Sequence, residues 1–195
     1  MMSLTAKMMP LETATHDQVL HDQEESVEIL INGLQSVIHD YQHALQTLSA
    51  EDYCATPDGQ SSIGAHVRHV LEFMQVLATQ ITDGVIDYEA RAHDVSLESN
   101  PQAVAETLPK LLTTFRHQVE KYGLYRLLLL KETTVVGHPK VTTTSSIGRE
   151  ILFIIQHSVH HLAIIKMKAD SMGIAMDGDI GVANATKIYR AETNS

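Results

Sequence analysis

Residues 147–172 read IGREILFIIQHSVHHLAIIKMKADSM. Apolar residues recur in this segment at three- and four-residue steps, which is the period of an α-helix with one buried face. His157 and His161 are four residues apart and follow the same register as Ile154 and Ile165. The segment therefore predicts one long helix that carries two histidines on its buried face.

The same periodicity predicts three more helices upstream. The first runs from Asp17 to about Leu48, the second from Ile63 to about Thr82, and the third from Pro101 to about Tyr122. Serine pairs precede the second and the last of the four helices, where their hydroxyls can cap free N–H groups. Pro109 inside the third helix predicts either a kink or a later start. The predicted fold class is all-α, a four-helix bundle.

The segments between these helices have a different character. Residues 49–60 contain turn residues, and residues 85–100 form a polar connection. Residues 124–144 are rich in β-branched side chains and predict a small β-hairpin between the third and fourth helices. We expect a single domain over residues 1–195, with a frayed lead-in at 1–16 and a tail at 174–195. The expected hairpin segments are Leu127–Leu130, Thr133–Val136 and Val141–Thr144, with a turn at Gly137–Pro139.

Composition limits the classes of function. The formal net charge is -10, so the chain lacks the clustered basic residues that neutralise phosphates, and we expect no nucleic-acid partner. The apolar runs are too interrupted to span a bilayer, so no membrane partner is expected. The single cysteine, Cys54, cannot form an intramolecular disulfide. Because the first 22 residues also lack the pattern of a signal peptide, we expect a cytoplasmic protein.

Twelve histidines stand out in this composition. The spacing of His157 and His161 places two imidazoles about one helical turn apart, an arrangement in which both can bind one metal. His39 and His43 have the same spacing but lie among polar residues, so a solvated face is the better interpretation there.

The second helix carries His66 and His69 on an otherwise aliphatic stripe. Imidazole is costly to bury without partners, so two such clusters in one bundle predict that they face each other across a metal. His66 and His69 differ by about 60° around the helix, so spacing does not decide which of them is the third ligand.

Two segments resemble the helix signatures of the DinB-like metal-binding bundles. One is SIGAHVRHVLE at residues 62–72, and the other is REILF at 149–153 followed by HSVHH at 157–161. The resemblance extends over roughly residues 20–190. Shorter pieces that resemble one branch of that family are Asp87-Tyr88 with Arg91, and Gly181-Val182-Ala183.

The resemblance implies an up-down-down-up bundle that holds one divalent transition metal, which is zinc, nickel or iron. The family's ligand from the second helix falls on His69, and its pair from the fourth helix falls on His157 and His161. Many members have an arginine directly after the His-His pair, where this chain has Leu162. A substrate contact by that arginine is therefore not carried over to this chain.

Three neutral nitrogen ligands leave an open position on a metal, which is typical of catalytic rather than structural sites. The first hypothesis is therefore a metal-dependent hydrolase or a thiol-using S-transferase acting on a small molecule, with the metal activating water or a thiolate. A rival hypothesis is a non-catalytic metal- or ligand-binding bundle in a stress response, and a third has packed histidines and no metal. The resemblance also makes a homodimer an expectation.

Overall fold

The computed structural model describes residues 16–193 of the chain, and four long helices dominate that range. Each predicted helix is present, close to its predicted ends. Three of the helices begin where side-chain oxygens accept a hydrogen bond from the backbone N–H three residues on, at Ser62, Asn100 and Ser146. The long helices are α1 His16–Thr47, α3 Ile63–Gln80, α4 Pro101–Tyr122 and α5 Ile147–Ser171.

The helix α4 contains Pro109 and nevertheless begins at Pro101. The predicted start at Pro101 is therefore confirmed, and the alternative of a later start is excluded. Pro101 stands at the first helical position, where its missing N–H costs no hydrogen bond, and the Asn100 side chain caps the helix.

The four long helices form a bundle in the cyclic order α1, α4, α3, α5. The first and the last run in the same direction. Gly33 of α1 faces Ile155 of α5, and further along both helices the Tyr41 hydroxyl donates to the Ser158 carbonyl. The side chain of Tyr41 is fully buried at this contact.

The two middle helices run together and opposite to the other pair. Gly64, near the start of α3, packs on the backbone of Glu98 just before α4, and later along both helices Gln118 donates to the Ala78 carbonyl. The start of α3 meets the later part of α5, because His66 contacts His161. These contacts confirm the up-down-down-up order.

A three-stranded sheet lies beside the bundle, with strand order β1-β2-β3. The strands are β1 Val85–Asp87, β2 Leu127–Glu132 and β3 Val141–Ser146. β2 and β3 pair antiparallel, with Leu129 opposite Thr144, which confirms the predicted hairpin. β1 pairs parallel to β2 and was not predicted, because three residues in a polar connection show no strand period.

The hairpin segment predicted at Thr133–Val136 is wrong. These residues lie in the connection between β2 and β3. The Thr133 N–H donates to the carboxylate of Glu89 instead of to a strand, which draws the connection towards the end of β1. Lys140 holds the same region through ion pairs to Asp87 and Glu89.

Two short α-helices and two 3-10 turns complete the described fold, and the second of these turns, Val95–Glu98, lies just before α4. The segment predicted as a plain turn at 49–60 contains α2, Ala50–Cys54, and a single 3-10 turn at Pro57–Gly59. A capping box between Ser49 and Asp52 starts α2. The predicted tail contains α6, Asn184–Thr193. The predicted lead-in at 1–16 lies outside the described residues except for His16.

The interior of the bundle is mainly aliphatic, as the scarcity of aromatic residues predicts. Tyr41, Tyr53 and Phe115 are the largest fully buried side chains in the described range. None of the described helices has the combination of length and apolar character that a membrane crossing needs.

Candidate metal centre

The central feature of the bundle is a group of histidines at the contact between α3 and α5. His69 comes from α3, while His157 and His161 come from successive turns of α5. Ile154 and Ile165, which share the face of the α5 pair, are fully buried, as the register predicts. His161 is buried, and His69 and His157 are half-buried. The three rings therefore sit at the edge of the core rather than on the surface.

The three histidines converge closely enough to bind one ion. One ring nitrogen from each of His69, His157 and His161 can be chosen so that all three lie within 4.8 Å of one another. The Nε2 atoms of His69 and His157 are 3.0 Å apart. Two nitrogens that bind one metal at about 2.1 Å are separated by roughly 3.0–3.4 Å when their angle at the metal is between square and tetrahedral.

The histidines at this contact favour the neutral form. Burial is the main cause that lowers the pKa of His69 to about 4 and of His161 to about 3. The nearby ring of His157 is the next cause for both, since two imidazolium charges at this distance would repel. Burial also lowers the pKa of His157. Because metals bind the deprotonated ring nitrogen, neutral imidazoles near pH 7 suit a ligand set.

A fourth histidine contacts the group without joining it. The Nδ1 atoms of His66 and His161 are 3.2 Å apart, a hydrogen bond in which one nitrogen donates and the other accepts. His66 is thus the partner of a ligand candidate, and not one of the three converging histidines. His160 is exposed.

The pair with the same spacing in α1 stands apart from the site. His39 and His43 are both exposed, which agrees with the prediction of a solvated face. Asp40 lies between them and is partly buried, and burial raises the pKa of its carboxyl group. The two i,i+4 histidine pairs therefore differ in their surroundings, not in their spacing.

An aromatic wall separates the histidines from a small cavity. The Phe73 ring lies 4.7 Å from the His69 ring and 4.9 Å from the His157 ring, measured between centroids. Phe153 stacks on His157 at 5.3 Å, and Tyr88 stacks on Phe73 at 4.8 Å. Beyond this wall is a cavity of about 190 Å³. Its lining comprises Phe73, Tyr88, Glu89, Arg91, Leu130, Lys131, Glu132, Arg149, Glu150 and Phe153.

A fully buried carboxylate lies in the lining of this cavity. Glu150, in the first turn of α5, accepts hydrogen bonds from the Tyr88 hydroxyl at 2.7 Å and from the Ser145 hydroxyl at 2.5 Å. The Arg149 guanidinium is 3.4 Å from the same carboxylate. Burial and the Glu150 charge raise the pKa of Tyr88 well above its ordinary value, so its hydroxyl remains a donor.

Sequence reasoning missed this cavity. In the sequence, the segment around Tyr88 and Arg91 shows only a resemblance to one branch of the family. The lining residues come from α3, the β1 region, β2 and α5, which are far apart in the chain.

The residues present fit a divalent transition metal. Three imidazole nitrogens on two helices, neutral near pH 7 and close together, form the type of donor set that zinc, nickel and iron accept. Such a donor set does not distinguish among these three metals. Three protein ligands also leave one coordination position open, whereas structural zinc sites are usually closed by four.

Comparison with known proteins agrees with the fold. Residues 34–165 match the family model of the DinB superfamily, which is more than half of the chain and includes all three histidines. Searches of the curated proteins and of the solved structures found no match to this chain.

Proposed function

The chain belongs to the DinB superfamily, and from that premise we propose that it is a metal-dependent enzyme acting on a small molecule. The observation that carries the proposal is the convergence of three imidazole nitrogens within 4.8 Å, beside a cavity that the bundle does not fill. The reaction classes that suit such a site are hydrolysis and S-transfer from a thiol.

In this proposal His69, His157 and His161 hold the metal. When bound, a divalent metal at three nitrogen ligands supplies Lewis acidity that lowers the pKa of water or of a thiol. In this proposal His161 donates from Nδ1 to Nδ1 of His66, which leaves its Nε2 with the lone pair that a metal needs.

In this proposal the aromatic wall holds the metal ligands in their orientation. Phe73 and Phe153 pack against the rings of His69 and His157, and these contacts restrict the rotation of both imidazoles. They also form an apolar surface on which a substrate can lie without displacing the ligands. Tyr88, the third ring of the wall, donates a hydrogen bond to Glu150.

The cavity favours the enzyme over a non-catalytic metal-binding bundle. A bundle that only stores or senses a metal needs no space beside it. The cavity has a volume of about 190 Å³, far more than a single water molecule needs. That volume suits a small substrate and is too small for a peptide or a nucleic acid chain.

A two-panel activity screen tests the proposal. One panel pairs low-molecular-weight thiols with the fluorogenic electrophile monochlorobimane, and the other uses nitrophenyl esters. In the S-transfer panel the thiol sulfur bonds to the electrophilic carbon, chloride leaves with the bonding pair, and the thiol proton passes to solvent. We expect turnover by the metal-loaded chain that is lost on addition of a chelator.

The matched variants are His157→Ala at the site and His39→Ala at the exposed pair of α1. Turnover should disappear in the first and persist in the second. A chain with one metal per protomer and no turnover in either panel would instead support the non-catalytic bundle.

A further inference from the structure

We propose that Arg91 is the anion-binding residue of the cavity, and that the substrate is a small planar molecule with a carboxylate group. This inference rests on the proposed function, because it assigns the substrate class of the same site. The cavity meant here is the one of about 190 Å³ whose lining includes Phe73, Tyr88, Arg91, Arg149 and Phe153.

The first observation is that the Arg91 guanidinium has donors without acceptors. Within residues 16–193, its Nε is buried and has no hydrogen-bond partner. Its nearest carboxylate is Glu72, at 4.0 Å from Nε, which is too long for a direct hydrogen bond. A guanidinium has five N–H donors in a fixed fork, and a carboxylate accepts two of them in parallel.

The carboxylate of Glu72 is already engaged. It accepts the Asp94 N–H at 2.7 Å and lies 3.9 Å from the Nε of Arg68. Glu72 is fully buried, so it supplies the charge that keeps Arg91 in place without satisfying its donors. Arg91 is therefore positioned for an acceptor that the described protein does not provide.

The second observation is that Arg91, in the lining of the cavity, contacts the same aromatic ring as His69 and His157. Its guanidinium carbon lies 4.7 Å above the Phe73 ring. That ring in turn lies 4.7 Å from His69 and 4.9 Å from His157. An anionic group bound at Arg91 would thus lie one aromatic ring away from His69 and His157.

The third observation is that acidic groups in the lining do not compete for Arg91. Glu150 is occupied by the hydroxyls of Tyr88 and Ser145. Glu89 accepts from Thr133 and pairs with Lys140 at 3.0 Å. Glu132 is exposed and stands at the rim. Of the carboxylates in the lining, none forms an ion pair with Arg91 in the described part of the chain.

The aromatic side chains in the lining of the cavity favour a flat substrate. Phe73, Tyr88 and Phe153 have ring centroids 4.8–6.0 Å apart, so they present ring faces and edges to the cavity. The Arg149 guanidinium lies 5.4 Å from the Phe153 ring and adds a second positive charge near the opening. Aromatic surface next to a guanidinium suits an aromatic or conjugated carboxylate.

The test compares benzoate with benzamide, which has the same shape and no charge. Dissociation constants are measured by calorimetry on the full chain at fixed ionic strength, both metal-loaded and after treatment with a chelator. We expect benzoate to bind at least tenfold more tightly than benzamide in both forms. Equal binding of the two probes, or a preference that vanishes with the metal, would overturn the assignment, because the metal would then hold the carboxylate.

Variants of Arg91 test whether this residue causes the preference for benzoate over benzamide. Arg91→Gln should weaken benzoate binding at least tenfold and leave benzamide binding unchanged, while Arg91→Lys should retain part of the preference. The matched control is Arg116→Gln on α4, an arginine outside the cavity that pairs with Glu28. Benzoate binding that survives in a folded Arg91→Gln variant would overturn the inference.

Metal content measured on the same samples separates this inference from the proposed function. A wild-type chain with bound metal but no Arg91-dependent preference for benzoate overturns the substrate class alone. A chain without metal that still shows the preference supports the anion site and overturns the proposed enzyme.

Discussion

The Nδ1 atom of His66 lies 3.2 Å from the Nδ1 atom of His161, across the contact between α3 and α5. A neutral imidazole has one N–H donor and one acceptor nitrogen, so one of these two Nδ1 atoms donates and the other accepts. When His161 donates from Nδ1, its Nε2 carries the lone pair. Partners of this kind orient the ligands of metal sites and raise their basicity.

From this contact we predict that His66→Ala weakens metal binding without abolishing it. The expected loss of affinity is about 10–100-fold, the range for removal of a partner that orients a ligand. His66→Gln should recover part of that loss, since an amide can also make the hydrogen bond. Competition with a metal indicator dye measures the affinity. His160→Ala, at an exposed neighbouring position, should have no effect; complete loss of metal in His66→Ala would mean that His66 is itself a ligand.

The stability of the metal-free protein should fall as the pH falls below about 6.5. The pKa of His69 in the folded chain is about 4 and that of His161 is about 3, while both are near 6.5 when unfolded. Between these values the unfolded chain binds more protons, so acid favours unfolding, and stability is fully present only above pH 6.5. Urea unfolding at several pH values measures this trend. In His161→Gln the decline should be shallower, and an identical decline would contradict the assignment.

Gly64 lies at the closest approach between α3 and the segment before α4. A Cβ at this position would overlap the Glu98 carbonyl oxygen and lie 2.8 Å from the Tyr53 ring. We predict that Gly64→Ala destabilises the fold by about 1–3 kcal/mol, because backbone must shift to admit the methyl group. Gly178→Ala, which meets open space, should change stability by less than about 0.5 kcal/mol. Equal stability of the two variants would show that the approach is looser than described.

The hydrogen bond from Tyr88 to Glu150 gives a fourth prediction. Tyr88→Phe keeps the ring in the aromatic wall but removes a donor to a fully buried carboxylate. Hydrogen bonds to charged groups contribute about 1.5–3 kcal/mol, so we expect a loss of about 2 kcal/mol in the free energy of unfolding. Tyr189→Phe, on an exposed ring of α6, serves as the control. No difference between the two variants would mean that water replaces the lost donor.

The helices could be predicted from the sequence because their signals are local. The apolar stripes repeat every three or four residues, and Ser62, Asn100 and Ser146 cap helices where the sequence places them. The strand β1 could not be predicted, because its three residues are defined by pairing with Leu129 to Lys131, over forty residues later. The helix α2 was missed because the turn residues after it outweighed the Ser49–Asp52 capping box.

The candidate site also has one part that the sequence predicts and another that it does not. The spacing of His157 and His161 already places them on one buried face. The choice between His66 and His69 needed more than spacing, since both turn towards α5 and each meets a different partner: His66 meets His161, and His69 meets His157. The contacts of Arg91 depend on how the β1 region packs on α3, which no periodicity encodes.

The most direct test of the account is the metal content of the untagged protein, purified without chelators and measured by elemental analysis. We predict about one zinc, nickel or iron per chain, lost in both His69→Ala and His157→Ala and retained in His39→Ala, whose ring is exposed on α1. An absence of metal from the wild-type chain, with no gain in thermal stability when these metals are added, would contradict the central claim and leave a bundle whose histidines only pair with one another.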